Sequence, residues 1–275
     1  MNSQLLNKLY EKFDIASCSF GKVSDKLGDV YEAYCKKILE NRKYLNIAKQ
    51  NTVSKDNEYA IFKSILATCG ITCFSNVKSI FCGEKVPKRS SHGPAKTDII
   101  IDITYIDHTH KKIPISCKQS YAPSVALAEF SVDTICTEIG IENNEIKELM
   151  LLHQIDGSAK TIKQQQAKNK LKELLSPYAE KFVRWVLTGS PTVSNNIAHP
   201  TFIVKFKVKR PAEKGKFDLS KGELHYESYN VYSMDEYIKK IRLTKKGKPR
   251  VAGFGTGLQW TYATGSKGKK IQFKG

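Results

Sequence analysis

Apolar residues recur at helical spacing at Leu5, Leu6, Leu9, Tyr10 and Phe13, and again at Leu27, Val30, Tyr31, Tyr34, Cys35 and Ile38. These two stretches predict amphipathic helices, the second started by Ser24 or Asp25 as its cap. A third helix is predicted over 57–68, stopping ahead of Gly70. KVPKRSSHGPAK (85–96) then reads as an exposed cationic connection because of its Pro, Ser and Gly content. Further helices are predicted over 142–154, 160–175 and 178–187, with Pro177 where a break belongs. TFIVKFKVK (201–209) alternates apolar and basic positions with period two and predicts a strand.

Between these blocks lies TDIIIDITYIDHTHKKIPISCKQS (97–120), two apolar runs around a polar tip. It predicts a β-hairpin turning near His108, with Ile100 opposite Ser116 and Asp98 opposite Lys118. Side chains alternate along a strand, so Ile99, Ile101, Ile103, Ile113, Ile115 and Cys117 form one face suited to burial under helices. Ser116, Lys118 and Asp98 converge on the other face, at the open end of the hairpin.

Composition adds a partner to this outline. Lys and Arg number 45 against 27 Asp and Glu, for a net charge of +18, and 40% of residues are hydrophobic, enough for a sizeable core. So large a basic excess favours a polyanionic partner, nucleic acid first. From Tyr237 to Gly275 there are eleven Lys or Arg and no acid, interleaved with Gly, Ser, Thr, Trp260, Tyr262 and Phe273. A merely solubilising tail has no need of those aromatics, so this stretch reads as a structured nucleic-acid-binding surface.

The N-terminal segment lacks a secretory core and no stretch approaches the ~20 apolar residues of a membrane span, so a soluble, cytoplasmic protein with no membrane partner is expected. The seven cysteines are odd in number and scattered, which suits buried free thiols in a reducing compartment. Cys69 and Cys73, with Cys82 nearby, lack the tight ligand pairs of a zinc site.

A carboxylate beside a lysine at a strand end suits Mg²⁺-dependent phosphodiester hydrolysis: an oxygen ligand holds the cation while an ammonium orients water and offsets developing charge. An ordinary cross-strand ion pair is the plain alternative, and the net charge of +18 tips the reading toward a nuclease. The arrangement resembles the core of the PD-(D/E)xK nuclease superfamily, with Thr97–Asp98 as the first element and Ser116-Cys117-Lys118 as the second. The middle acid is replaced by serine, which brings a hydroxyl and no charge. Asp102, on the same strand face as Asp98, is a further candidate ligand nearer the tip.

The segments LLNKLYEKFDI, SDKLGDVYEAY, FSVDTICTEIGI, KELMLLHQIDGSAK and GFGTGLQWTYATGSKGKKIQFKG look like the MspI family of type II restriction endonucleases, which cut CCGG. The likeness runs from the first helix to the final glycine, apart from residues 217–232. That family has another neutral residue, asparagine, at the position matched by Ser116. The resemblance implies a mixed α/β, restriction-endonuclease-like core with a mixed central sheet flanked by helices. It also implies a single domain over 1–275: helices and connection to 95, active-site hairpin at 96–120, helical part at 121–190, and strand with basic region at 200–275.

Asp98, Ser116 and Lys118 carry over as catalytic, with Mg²⁺ held by Asp98 and the main-chain carbonyl of Cys117. The expected reaction is cleavage of both strands of DNA at a short palindrome, leaving 5′-phosphates. The chain would act as a monomer, in a host that also holds a cognate methyltransferase. Glu129, Thr261, Tyr262, Ser266, Lys267, Lys270 and Lys274 are the expected DNA contacts, while Glu32 on the second helix reads as exposed, with a metal-water contact as its other reading. Two rivals stay open: a non-catalytic DNA-binding protein with a degenerate core, which Ser116 permits, and an RNA-binding protein, for which the basic aromatic tail would suffice.

Overall fold

The computed structural model describes residues 3–87, 95–122, 124–156, 165–213 and 215–275, except the side chains of Phe20, Ser24, Ile155, Asp156, Gln165, Tyr262 and Thr264. Most of the expected cationic connection and the first residues of the helix expected over 160–175 lie outside the described residues. Helices α1 (Gln4–Lys12), α2 (Phe20–Leu39), α3 (Arg42–Lys49) and α4 (Asn57–Thr68) precede strands β1 (Val77–Phe81), β2 (Ile99–Tyr105), β3 (His110–Ser120) and β4 (Ala126–Phe130). Then come α5 (Val132–Ile139), α6 (Asn144–Asp156), α7 (Gln165–Leu175), α8 (Ala179–Thr188), β5 (Phe202–Val208), β6 (Tyr226–Ser233), α9 (Met234–Arg242), β7 (Gln259–Tyr262) and β8 (Ile271–Lys274). They fall into two compact units, Met1–Pro123 with Asn196–Met234, and Ser124–Asn195 with Asp235–Gly275.

The first unit holds a mixed five-stranded sheet in the order β1-β2-β3-β5-β6, in which β3 and β5 run parallel and the other neighbours antiparallel. Ser3 caps α1 by accepting from the Leu6 amide, and Asp56 caps α4 by accepting from the Glu58 amide. Helix α2 begins at Phe20 behind Ser19, a turn earlier than Ser24 or Asp25 allows. The reason is Val23, which is buried four residues before Leu27 and lengthens the apolar stripe. The Tyr10 and Tyr31 hydroxyls both donate to the carbonyl of Leu224, at 2.8 and 2.9 Å, tying α1 and α2 to the chain just before β6.

The hairpin forms with its expected faces but a different register. Ile99 pairs with Ile115 and Thr104 with His110, so Asp98 falls opposite Ser116 rather than Lys118. The turn centres on Asp107, whose carboxylate accepts from the Thr109 amide and hydroxyl at 3.0 and 2.6 Å, and His108 takes a left-handed φ of 66°. Moving the tip by one residue moves the pairing by two, which keeps every side chain on its face. Ile99, Ile101, Ile103, Ile113, Ile115 and Cys117 accordingly join the core under the helices.

The second unit holds an antiparallel sheet in the order β4-β8-β7, which buries Ile271 and Phe273 on one side. Phe273 meets an aromatic group in which Trp260 stacks on Phe182 at 5.2 Å and Trp185 lies 4.1 Å from Phe130. In the preceding loop Gly257 has φ 80°, and a Cβ there would overlap the Ile241 carbonyl on α9. Gly257→Ala is expected to destabilise the protein by about 2 kcal/mol, read as a lower urea midpoint with aromatic fluorescence as probe.

Candidate active site

Asp98 stands one residue before β2, and its amide donates to the Ile115 carbonyl at 2.9 Å, extending the ladder to the open end of the hairpin. Three donors from β3 meet one oxygen of its side chain. Asp98 Oδ2 accepts from Ser116 Oγ at 2.9 Å, from the Cys117 amide at 2.7 Å and from Lys118 Nζ at 2.9 Å. The structure therefore brings Asp98, Ser116 and Lys118 together as the alternation demands, with Ser116 buried. The Asp98 and Lys118 side chains keep 16% and 26% exposure, open enough for a ligand yet sheltered from full solvent screening.

Burial alone would lower the Lys118 ammonium, but the charge of Asp98 and its hydrogen bond outweigh that, and the group stands above the ordinary lysine value. Glu32 is half-buried rather than exposed, which corrects the sequence expectation. Its carboxyl is pushed up to about 7 by burial first and the Asp98 charge second, with Lys118 and Lys36 pulling the other way. Helix packing explains the location. Cys35, one turn after Glu32, places its Sγ 3.8 Å from Cys117 Sγ on β3, so this face of α2 lies along the active-site strand. Contact with Cys35, and then burial, holds the Cys117 thiol well above its usual range.

Asp102 is not part of this group. It stands opposite Lys112, and its Oδ1 lies 3.2 Å from His110 Nδ1. Four residues of strand separate it from Asp98, roughly 13 Å. All seven cysteines are free thiols, five of them buried, with Cys18 half-buried and Cys73 exposed.

The expected DNA contacts all belong to the second unit. In its sheet Glu129, Gln272 and Thr261 lie side by side in register. Gln272 Nε2 donates to Glu129 Oε1 at 2.8 Å, and Thr261 Oγ1 donates to Gln272 Oε1 at 3.2 Å. Gln272 thus joins two expected contacts, although the sequence reading passed over it. Its signal was the alternation in IQFK, where Ile271 and Phe273 are buried and Gln272 and Lys274 face outward. Lys267 and Lys270 are exposed, Ser266 Oγ donates to the Ala263 carbonyl at 3.0 Å, and the side chain of Tyr262 lies outside the described residues.

Residues 5–275 match the family model described as restriction endonuclease MspI. The chain belongs to the MspI restriction endonuclease family. It is 35% identical to the type II restriction enzyme MspI of Moraxella sp., with each chain covered completely. The type II restriction enzyme BsuFI of Bacillus subtilis is 26% identical over 82% of this chain and 51% of its own length. A crystal structure of MspI in complex with its cognate DNA superposes with a TM-score of 0.81 over the whole of both chains. As a family member the chain is a type II restriction endonuclease, a site-specific deoxyribonuclease, built as a mixed α/β fold with a mixed central sheet flanked by helices.

Proposed function

We propose that the enzyme cuts both strands of double-stranded DNA at CCGG in a Mg²⁺-dependent reaction that leaves 5′-phosphate and 3′-hydroxyl ends. The observation that carries this reading is the meeting of Ser116, the Cys117 amide and Lys118 on Asp98, in a chain alike to MspI from end to end. The family match runs through both compact units, which supports one endonuclease domain over 1–275. The proposed enzyme acts as a monomer. No helix among the described residues is long and apolar enough to cross a membrane. A cytoplasmic enzyme whose host carries a cognate methyltransferase is the setting that membership of a restriction-enzyme family suggests.

The residues suit a magnesium ion. No three His, Cys, Asp or Glu side chains converge among the described residues, and Mg²⁺ asks for no such cage. It keeps several waters and takes one or two carboxylates together with substrate phosphate. Asp98 and the Cys117 carbonyl would hold it, both through hard oxygen atoms. Once bound, the ion would polarise the scissile phosphate and acidify a coordinated water.

The chain's own groups do the rest. Lys118 carries its charge where the phosphate gains negative charge and offers protons that orient the attacking water. Ser116 Oγ fixes the Asp98 carboxylate from the buried side. Glu129 can accept from a cytosine amino group, while lysines such as Lys274 suit guanine O6 and N7. Gln272, Thr261, Tyr262 and Ser266 add amide and hydroxyl groups for base edges, and Lys267 and Lys270 face phosphates. A duplex with one CCGG should be cut with Mg²⁺ and spared with EDTA, and a CCAG duplex should be spared in both; equal cutting of the two duplexes would refute the specificity.

The neutral Ser116 favours one second reading, a DNA-binding protein with a spent nuclease core. Metal-dependent cutting of the CCGG duplex by the parent excludes it, and Ser116→Asp tests the part the serine plays. If position 116 faces the ion, the variant is expected to need roughly tenfold less Mg²⁺ for half-maximal cleavage, since a second carboxylate adds charge to the site. A metal titration of cleavage rate checks this, and an unchanged midpoint would show Ser116 to be purely a support for Asp98.

A further inference from the structure

β3 carries a thiol between its two active-site side chains. Cys117 stands between Ser116 and Lys118, and its amide donates to Asp98 Oδ2 at 2.7 Å. Its Sγ lies 3.8 Å from Cys35 Sγ on α2, and both side chains are buried. The hydrolytic chemistry uses neither sulfur, yet the helix bearing Glu32 and the strand bearing Lys118 touch through this pair.

We propose that Cys35 and Cys117 are an oxidative modification site: a peroxide joins them as a disulfide, and the bond reversibly switches off DNA cleavage. One sulfur attacks the peroxide O–O bond and becomes a sulfenic acid, releasing water. The other sulfur then displaces a second water from it and forms the S–S bond. Two thiols and one hydrogen peroxide thus give one disulfide and two waters, the thiol protons leaving in the waters. Burial admits only a small oxidant and makes the reaction slow, so the site answers sustained exposure to peroxide.

The bond acts through geometry. A disulfide is about 2.05 Å long, so the two sulfurs must approach well within their present 3.8 Å. Part of that closure falls on the backbone of Cys117, which holds Asp98 through its amide and carries Ser116 and Lys118 on either side. A misplacement of about 1 Å at reacting groups can cost roughly 100-fold in rate. The switch rests on the active-site reading above, whereas the bond itself does not.

The test treats the full chain with hydrogen peroxide and reads a peptide map by mass spectrometry beside cleavage of a CCGG duplex. Expected are a linked Cys35–Cys117 peptide, cleavage down about 100-fold, unchanged DNA binding, and recovery with dithiothreitol. Cys35→Ala should cut as the reduced parent does and ignore peroxide, and Cys73→Ala, which removes the exposed thiol, should still respond. Should Cys35→Ala fold poorly, Cys35→Val fills the space and serves the same purpose. A linked enzyme that still cuts would overturn the switch. Absence of the linked peptide once Cys73 is fully oxidised would overturn the bond. A reduced protein that never cuts would count against the nuclease reading, while the peptide map still decides the linkage.

Discussion

Lys118→Ala and Asp98→Ala are each expected to lower the single-turnover cleavage rate by at least about 1,000-fold while leaving DNA affinity near that of the parent. Removing the ammonium takes away the charge that offsets the phosphate, and it strips Asp98 of one of three donors. Removing the carboxylate takes away the anchor of the whole group and leaves the Lys118 cation in a partly sheltered site without its partner. Binding should survive, because the exposed lysines and the ladder through Glu129, Gln272 and Thr261 belong to the other compact unit. Gel-shift affinity and quenched-flow cleavage on the same duplex check the pair. Cleavage within tenfold of the parent in either variant would remove that residue from the chemistry.

Glu32→Gln is expected to stabilise the protein at pH 8 and to slow it as an enzyme. The folded protein holds this carboxyl at about 7, above the ordinary 4.5, so it favours the protonated form. The corresponding stability is complete below about pH 4.5 and is lost as pH rises through 7. At pH 8 the ionised group costs on the order of 2 kcal/mol once solvent screening of this half-buried carboxylate is discounted, and glutamine cannot ionise. In urea titrations without Mg²⁺, the advantage of the variant should be small at pH 5 and reach that size at pH 8. An advantage that is equal at both pH values would show that Glu32 ionises as an ordinary surface glutamate. Cleavage should move the other way, by roughly 10- to 100-fold, because an anion beside Asp98 helps to hold a cation and its waters.

The hairpin was legible because period two is read directly from the sequence, and the parity of Ser116 and Lys118 survives any even shift of register. The register itself was not legible, because a choice between Asp107 and His108 as the centre of the tip depends on side-chain hydrogen bonds to the turn. Short elements escaped for a related reason. β1 has five residues and one fully buried position, and α3 spans two turns, too little for a periodicity to rise above chance. Glu32 was misjudged because a helix sequence shows that a face exists without showing which strand meets it, and Cys35 against Cys117 is a contact across 82 residues. Gln272 stands between Lys270 and Lys274, and a neutral amide adds nothing to the charge pattern that marks this stretch as basic. The family, in contrast, was visible in segments spread from the first helix to the last strand, where helix, site and basic region agree with one another.

The measurement that bears most directly on the central claim is digestion of a sequenced plasmid with and without Mg²⁺, with every end mapped to the nucleotide and tested for a 5′-phosphate by ligation. Discrete, ligatable cuts within CCGG that require the metal are the predicted result. An intact plasmid in Mg²⁺, under conditions where the protein binds the same DNA, would contradict the account and leave Ser116 as the mark of a site that binds without cutting.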